Sequence, residues 1–229
     1  MSEPVRQYRF QPAPGACDLL LVRHGESAPA VEGQPFATVG GHADPPLAEQ
    51  GQDEARRVAE RLKGEEISAV YVTTLQRTHQ TAAPLAAELG IEPRVEADLR
   101  EVFLGEWEGG LLRIRAREQH PTAREMFEKG DWGVIPGAEP REEFAARVRA
   151  GITRIAEAHP DQRVVAFVHG GIIGMVMHLA CGSHPFAFVG AENGSINHIV
   201  VTEDRWIIRR FNDTGHLATD LDKPVQPLT

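Results

Sequence analysis

Cysteine is scarce in this sequence: Cys17 and Cys181 are its only two among 229 residues. Two thiols in unrelated contexts make neither a disulfide framework nor a set of soft metal ligands, so a reduced, cytoplasmic protein is expected. Positive charge is also in deficit. With 24 Lys and Arg against 33 Asp and Glu, and a pI near 5.6, the chain lacks the basic footprint that nucleic acid or an anionic membrane requires. An anionic ligand would have to be met by arginines gathered locally. No apolar run approaches the length of a bilayer span, and the first seventeen residues hold prolines and charges but no apolar signal-like stretch. Neither secretion nor membrane insertion is expected.

What is present is 41% hydrophobic and 25% charged residues, enough to bury a sizeable core in one domain. Short apolar runs alternate with segments of helical period, the pattern of βα units around a parallel sheet. The fold class expected is α/β, with three α/β/α layers and a mostly parallel central sheet. Strands are expected from Asp18 to Arg23, Ala69 to Thr73 and Arg163 to Val168. One amphipathic helix carries Ala55, Val58, Ala59 and Leu62 on its apolar face and stops near Gly64. A second begins near Leu75 and runs toward Gly90, with Pro84 expected to kink or break it. A third carries Phe144, Val148, Ile152 and Ile155 and ends at Pro160.

The string "RVVAFVHGGIIGMVMHLACG" passes from strand to apolar helix, and "INHIVVTEDRWIIRRFND" reads as an antiparallel edge hairpin. The irregular text from about 105 to 140, rich in Gly and Trp, suggests a cap inserted over the sheet. The organisation expected is therefore a loose arm at 1–17, one domain at 18–214 and a tail at 215–229. The open edge of the hairpin is where a homodimer would form.

The chemistry is concentrated where three apolar strands end. The first ends in Arg23-His24, the second leads into "TTLQRTHQTA" with Arg77, and the third ends in His169-Gly170-Gly171. In open α/β sheets, ligands bind outside the carboxyl ends of the parallel strands. Guanidinium and imidazole groups beside helix N-termini suit a phosphoryl group, because forked N–H donors match its oxygens. The expected partner is thus a small-molecule phosphate ester. His178, His184 and His198 have no metal-ligand spacing, and neither metal nor cofactor is expected. Arg113 and Arg117, on one face of "LLRIRAREQH", read as a solvated basic face, with selection of an anionic substrate as the alternative.

Taken together these strings resemble the histidine phosphatase superfamily, which includes the cofactor-dependent phosphoglycerate mutases. "LVRHGES" is similar to the family's signature around its nucleophilic histidine, "GHADPPLAEQG" to its turn into the first helix, and "TTLQRTHQTA" to its second phosphate-binding arginine. "LREVFLGEWEG" and "FVHGG" match the segments of its acid–base glutamate and second histidine. The resemblance spans most of Asp18 to about Asn212 and implies a phosphoglycerate mutase-like fold. It implies His24 as nucleophile, Glu101 as acid and base, and protonated His169, Arg23, Arg77, Ser27 and the Gly170 amide as phosphoryl ligands.

The implied reaction is metal-independent transfer through phosphohistidine, with inorganic phosphate as product. The mutases carry a long insert after the Glu-containing motif that this chain lacks, which favours hydrolysis over mutase chemistry. A non-catalytic phosphoryl-binding protein on the same fold is the other alternative, disfavoured because all five central groups are present. Three positions depart from the pattern: Ala30 where an asparagine is usual, Thr74 for Ser and Ala48 for Thr. The loop from Ala28 to Gly40, with Pro29, Pro35 and Phe36, is the segment placed to fill the gap.

Overall fold

The computed structural model describes residues 7–217. In chain order its elements are β1 (Cys17–Arg23), β2 (Thr38–Val39), β3 (His42–Ala43), α1 (Glu49–Leu62), β4 (Ile67–Val72), α2 (Gln76–Leu89) and β5 (Arg94–Val95). They continue with α3 (Leu111–Arg117), α4 (Pro121–Lys129), α5 (Arg141–Ala158), β6 (Arg163–Val168), α6 (Gly170–Cys181), β7 (Ile196–Val201) and β8 (Trp206–Asp213). Six strands form one sheet in the order β5-β4-β6-β1-β7-β8. The first four of that order are parallel, while β7 and β8 add an antiparallel hairpin. β2 and β3 make a separate small ribbon.

Side-chain alternation along β1 explains why its text is apolar without interruption. Leu19 and Leu21 enter a core with Val148, Ile152 and Ile155 of α5 and Ile172 of α6. Leu20 and Val22 enter the opposite core, with Val58 and Leu62 of α1 and Leu85 of α2. A strand covered on both faces needs apolar residues at both parities. The predicted stripes of α1 and α5 are the buried faces of those helices.

Two expectations change. Of the two outcomes expected at Pro84, a kink or a break, the break does not occur: α2 runs from Gln76 to Leu89. An interior proline costs about 3 kcal/mol, but burial of Ala82, Leu85 and Ala86 offsets it, Leu85 alone contributing about 2 kcal/mol. The second strand starts at Ile67 and stops at Val72. Thr73 leaves the ladder because Thr78 accepts from its amide and its hydroxyl is taken by Thr78 and His169.

Between 105 and 140 lie α3, α4 and two short 3-10 turns, gathered around their own small core of Trp107, Ala123, Met126 and Ile135. Of the arm and tail expected at the two ends, residues 1–6 and 218–229 lie outside the described residues. Among the described residues no helix is long and apolar enough to cross a membrane.

Candidate active site

β4, β6 and β1 lie side by side and parallel, so their carboxyl ends share one edge. That edge gathers Arg23-His24, the Thr73–Arg77 turn and His169–Gly171. The loop after β1 is gripped from three sides. The Gly25 amide donates to Thr81 Oγ1 at 3.0 Å, the Glu26 amide to Glu54 Oε2 at 2.7 Å, and Asn193 Nδ2 to the His24 carbonyl at 2.9 Å. Gly25 and Gly51 let α1 sit flush against this loop: a Cβ on Gly25 would fall 2.4 Å from the Gly51 carbonyl oxygen.

His24 is buried, and its Nδ1 lies 2.7 Å from the Gly25 carbonyl oxygen. A carbonyl only accepts, so Nδ1 carries the proton and Nε2 holds the free lone pair. His169 packs edge-on at 5.2 Å between ring centroids. Its Nε2 is 3.0 Å from Thr73 Oγ1, while its buried Nδ1 has no hydrogen-bond partner. Burial first, then Arg77 and other nearby cationic groups, pushes both imidazoles well below 6.5. Burial beside two arginines therefore disfavours the protonated His169 expected from the sequence, because charging it would set a third cation there.

This has a consequence for stability. Below pH 6.5 the unfolded chain binds protons that the folded imidazoles refuse, so stability falls as pH drops beneath 6.5 and levels above it. Thermal melts at pH 5.0 and 7.5 should show a smaller loss at pH 5.0 in a His24→Asn/His169→Asn variant than in the parent. Equal losses would contradict the burial account.

Arg77 enters from the first turn of α2. NH1 donates to the Ala43 carbonyl at 2.9 Å, and burial brings the guanidinium down to about 10. Asp44 holds that turn by accepting from the Gln76 amide at 2.8 Å, which explains the aspartate in "GHADPPL". Arg23 donates from NH1 to the Ala191 carbonyl, and its buried Nε has no partner. Gly170 lies against this guanidinium, since a Cβ there would be 3.4 Å from Arg23 Nε.

Arg23, His24, Arg77 and Glu101 line one cleft of ≈ 690 Å³, measured to its open mouth, together with Arg113. Arg113 is a correction. It is not part of a solvated face: NH2 donates to Ser27 Oγ at 2.6 Å and NH1 to the Ala28 carbonyl at 2.9 Å, tying α3 to the loop after β1. Arg117 is the exposed member of the pair. Ser27 is accordingly occupied in holding Arg113, and it does not line the cleft.

Glu101 accepts from the Gly171 amide at 3.1 Å and from the Val102 amide at 3.0 Å. Gly171 must be a glycine for this approach, because a Cβ would lie 2.4 Å from Glu101 Oε1. Sequence reasoning missed the residue that fixes the segment. Arg147 of α5 pairs with Glu139 and donates to the carbonyls of Asp98, Arg100 and Glu101 at 2.7, 2.7 and 2.9 Å. Nothing in the sequence separates it from other charged residues on a helix. Glu108, also missed, accepts from the Ala43 amide at 2.6 Å and the Leu104 amide at 3.0 Å, closing the cleft wall. His178, His184 and His198 lie elsewhere, and among the described residues no cluster of His, Cys, Asp or Glu is arranged to hold a metal ion.

The family profile of the histidine phosphatase superfamily (branch 1) matches residues 19–214. The chain is 33% identical over 207 residues to phosphoglycerate mutase-like protein 4 of Arabidopsis thaliana, covering 87% of this chain and 86% of that protein. It is 29% identical to the metal-independent phosphoserine phosphatase of the same plant, covering 88% and 84%. The native structure of a mycobacterial glucosyl-3-phosphoglycerate phosphatase superposes with a TM-score of 0.71 at 27% identity, covering 86% of this chain and 99% of that one.

Proposed function

The chain belongs to the histidine phosphatase superfamily (branch 1), and from that premise we propose that it hydrolyses a small phosphomonoester, without a metal, through a phosphohistidine on His24. The observation that carries this reading is the fixed tautomer of His24 beside two buried nitrogens without partners, Arg23 Nε and His169 Nδ1. Unpaired buried donors and acceptors are costly. A phosphoryl group would satisfy both while neutralising the arginines around it.

In the first step Nε2 of His24 attacks phosphorus and the ester P–O bond breaks, with the Glu101 carboxyl giving its proton to the departing alkoxide. In the second, the Glu101 carboxylate takes a proton from water, the water oxygen attacks phosphorus, and the P–N bond breaks to release inorganic phosphate. Arg23, Arg77 and His169, the last protonated once the dianion arrives, hold the equatorial oxygens. The Gly170 amide at the start of α6 is the remaining donor. Ser27 acts through Arg113.

Hydrolysis is preferred to mutase chemistry because two relatives are named phosphatases and the segment from 105 to 140 is short. The matched stretch supports a single domain at 18–214. Two free cysteines suit the cytoplasm, and β8, an edge strand, is the place for a homodimer contact. The test is phosphate release from 4-nitrophenyl phosphate in excess EDTA. Turnover that persists is expected; turnover abolished by EDTA and restored by a divalent cation would overturn the metal-free reading.

A further inference from the structure

Two kinds of side chain line the cleft: Arg23, His24, Arg77 and Glu101, which carry the chemistry, and the apolar Phe36, Pro45, Leu104, Trp107 and Leu112. The remaining charged and imidazole side chains of the lining each have a partner already. Both Glu108 oxygens accept backbone amides, His42 Nδ1 lies 3.2 Å from the Gly40 carbonyl oxygen, and Arg113 donates to Ser27 and Ala28. Of the three guanidinium groups in the lining, Arg23 and Arg77 are taken by the phosphoryl group and Arg113 is held by Ser27 and Ala28, so none is left to meet a second anionic group.

The apolar wall is also built in advance. Trp107 is buried in the small core of the cap and meets His120 edge-on at 5.5 Å. The Phe36 amide donates to the Gly109 carbonyl at 3.1 Å. Gly110 lies so close that a Cβ would be 2.9 Å from the Phe36 ring and 3.0 Å from Ala30 Cβ. A preformed apolar wall favours a ligand that buries apolar surface, without first ordering the protein.

We propose that the alcohol half of the substrate is an uncharged, predominantly apolar group seated against Phe36, Trp107 and Leu112, and that the enzyme disfavours phosphorylated hydroxy acids. The proposal rests on the phosphatase reading of the same cleft. It assigns the substrate class to residues that take no part in the chemistry.

The experiment compares kcat/KM for 2-phenylethyl phosphate, ethyl phosphate, 3-phosphoglycerate and phosphoserine in the parent enzyme. All four release alkoxides, so leaving-group ability does not decide the order. Phenylethyl phosphate is expected to exceed ethyl phosphate by about 30-fold, the gain from burying an aromatic ring, and to exceed both hydroxy-acid esters by more. In Leu112→Ala the phenylethyl-to-ethyl ratio should fall about tenfold; Trp107→Phe, which keeps an apolar ring, should keep most of it.

A preference for 3-phosphoglycerate or phosphoserine that Arg113→Ala removes would overturn the proposal and assign an anion subsite instead, leaving hydrolysis intact. Equal rates for phenylethyl and ethyl phosphate would overturn it as well. No turnover of any ester by folded enzyme would sink the phosphatase reading itself, and this proposal with it.

Discussion

His24→Ala is expected to lower kcat for aryl phosphates by roughly five orders of magnitude, the scale seen when a covalent nucleophile is removed from a unit that works together. The size follows from the geometry. His24 Nδ1 is committed to the Gly25 carbonyl, so Nε2 alone is free to attack, and burial beside Arg77 and Arg23 keeps the ring neutral. Its neighbour cannot take over in place. His169 is buried, its Nε2 is at the Thr73 hydroxyl, and its ring packs edge-on against His24.

The parent should trap a phosphoryl group on the protein when quenched rapidly in alkali, and the variant should trap none. A melt of the variant guards against a trivial loss of fold. Activity within tenfold of the parent, in a protein of parental melting temperature, would remove His24 as nucleophile.

The layers of the fold were legible because burial on two faces writes itself as uninterrupted apolar text, as in Leu19 to Val22. Where competing local forces decide, the text misleads. Pro84 reads as a breaker because the buried face that overrides it is tertiary, and Thr73 reads as strand because its hydrogen bonds to Thr78 and His169 are set by packing. At the site, Arg23, His24 and Arg77 were legible as basic residues beyond strand ends.

Arg113 was not, since a helix of seven residues does not say which side the cleft lies on. Glu101 stood out only through family resemblance. Of the neighbours that aim it, Gly171 showed only as part of "FVHGG", with nothing to say what it approaches by lacking a side chain, and Arg147 left no pattern, because it works by reaching three carbonyls distant in sequence.

Glu101 is best tested by the near-isosteric Glu101→Gln, which keeps the size of the group but removes its capacity to carry a proton. A reduction in kcat of about 10² to 10⁴ is expected, and its distribution between substrates identifies the role. An alkyl phosphate needs its leaving oxygen protonated, so the variant should stall at the first step and release no burst of alcohol. With 4-nitrophenyl phosphate the leaving phenolate needs no proton, the first step survives, and only attack of water on phosphohistidine is slowed. A burst of one nitrophenol per active site followed by a slow steady state is therefore expected, with phosphoenzyme accumulating.

Glutamine still offers an oxygen to the Gly171 or Val102 amide, so the Arg147 clamp on the 98–101 segment stays in place and the variant should melt near the parent. Equal slowing of aryl and alkyl esters without a burst would mean that Glu101 only braces the turn at Gly171.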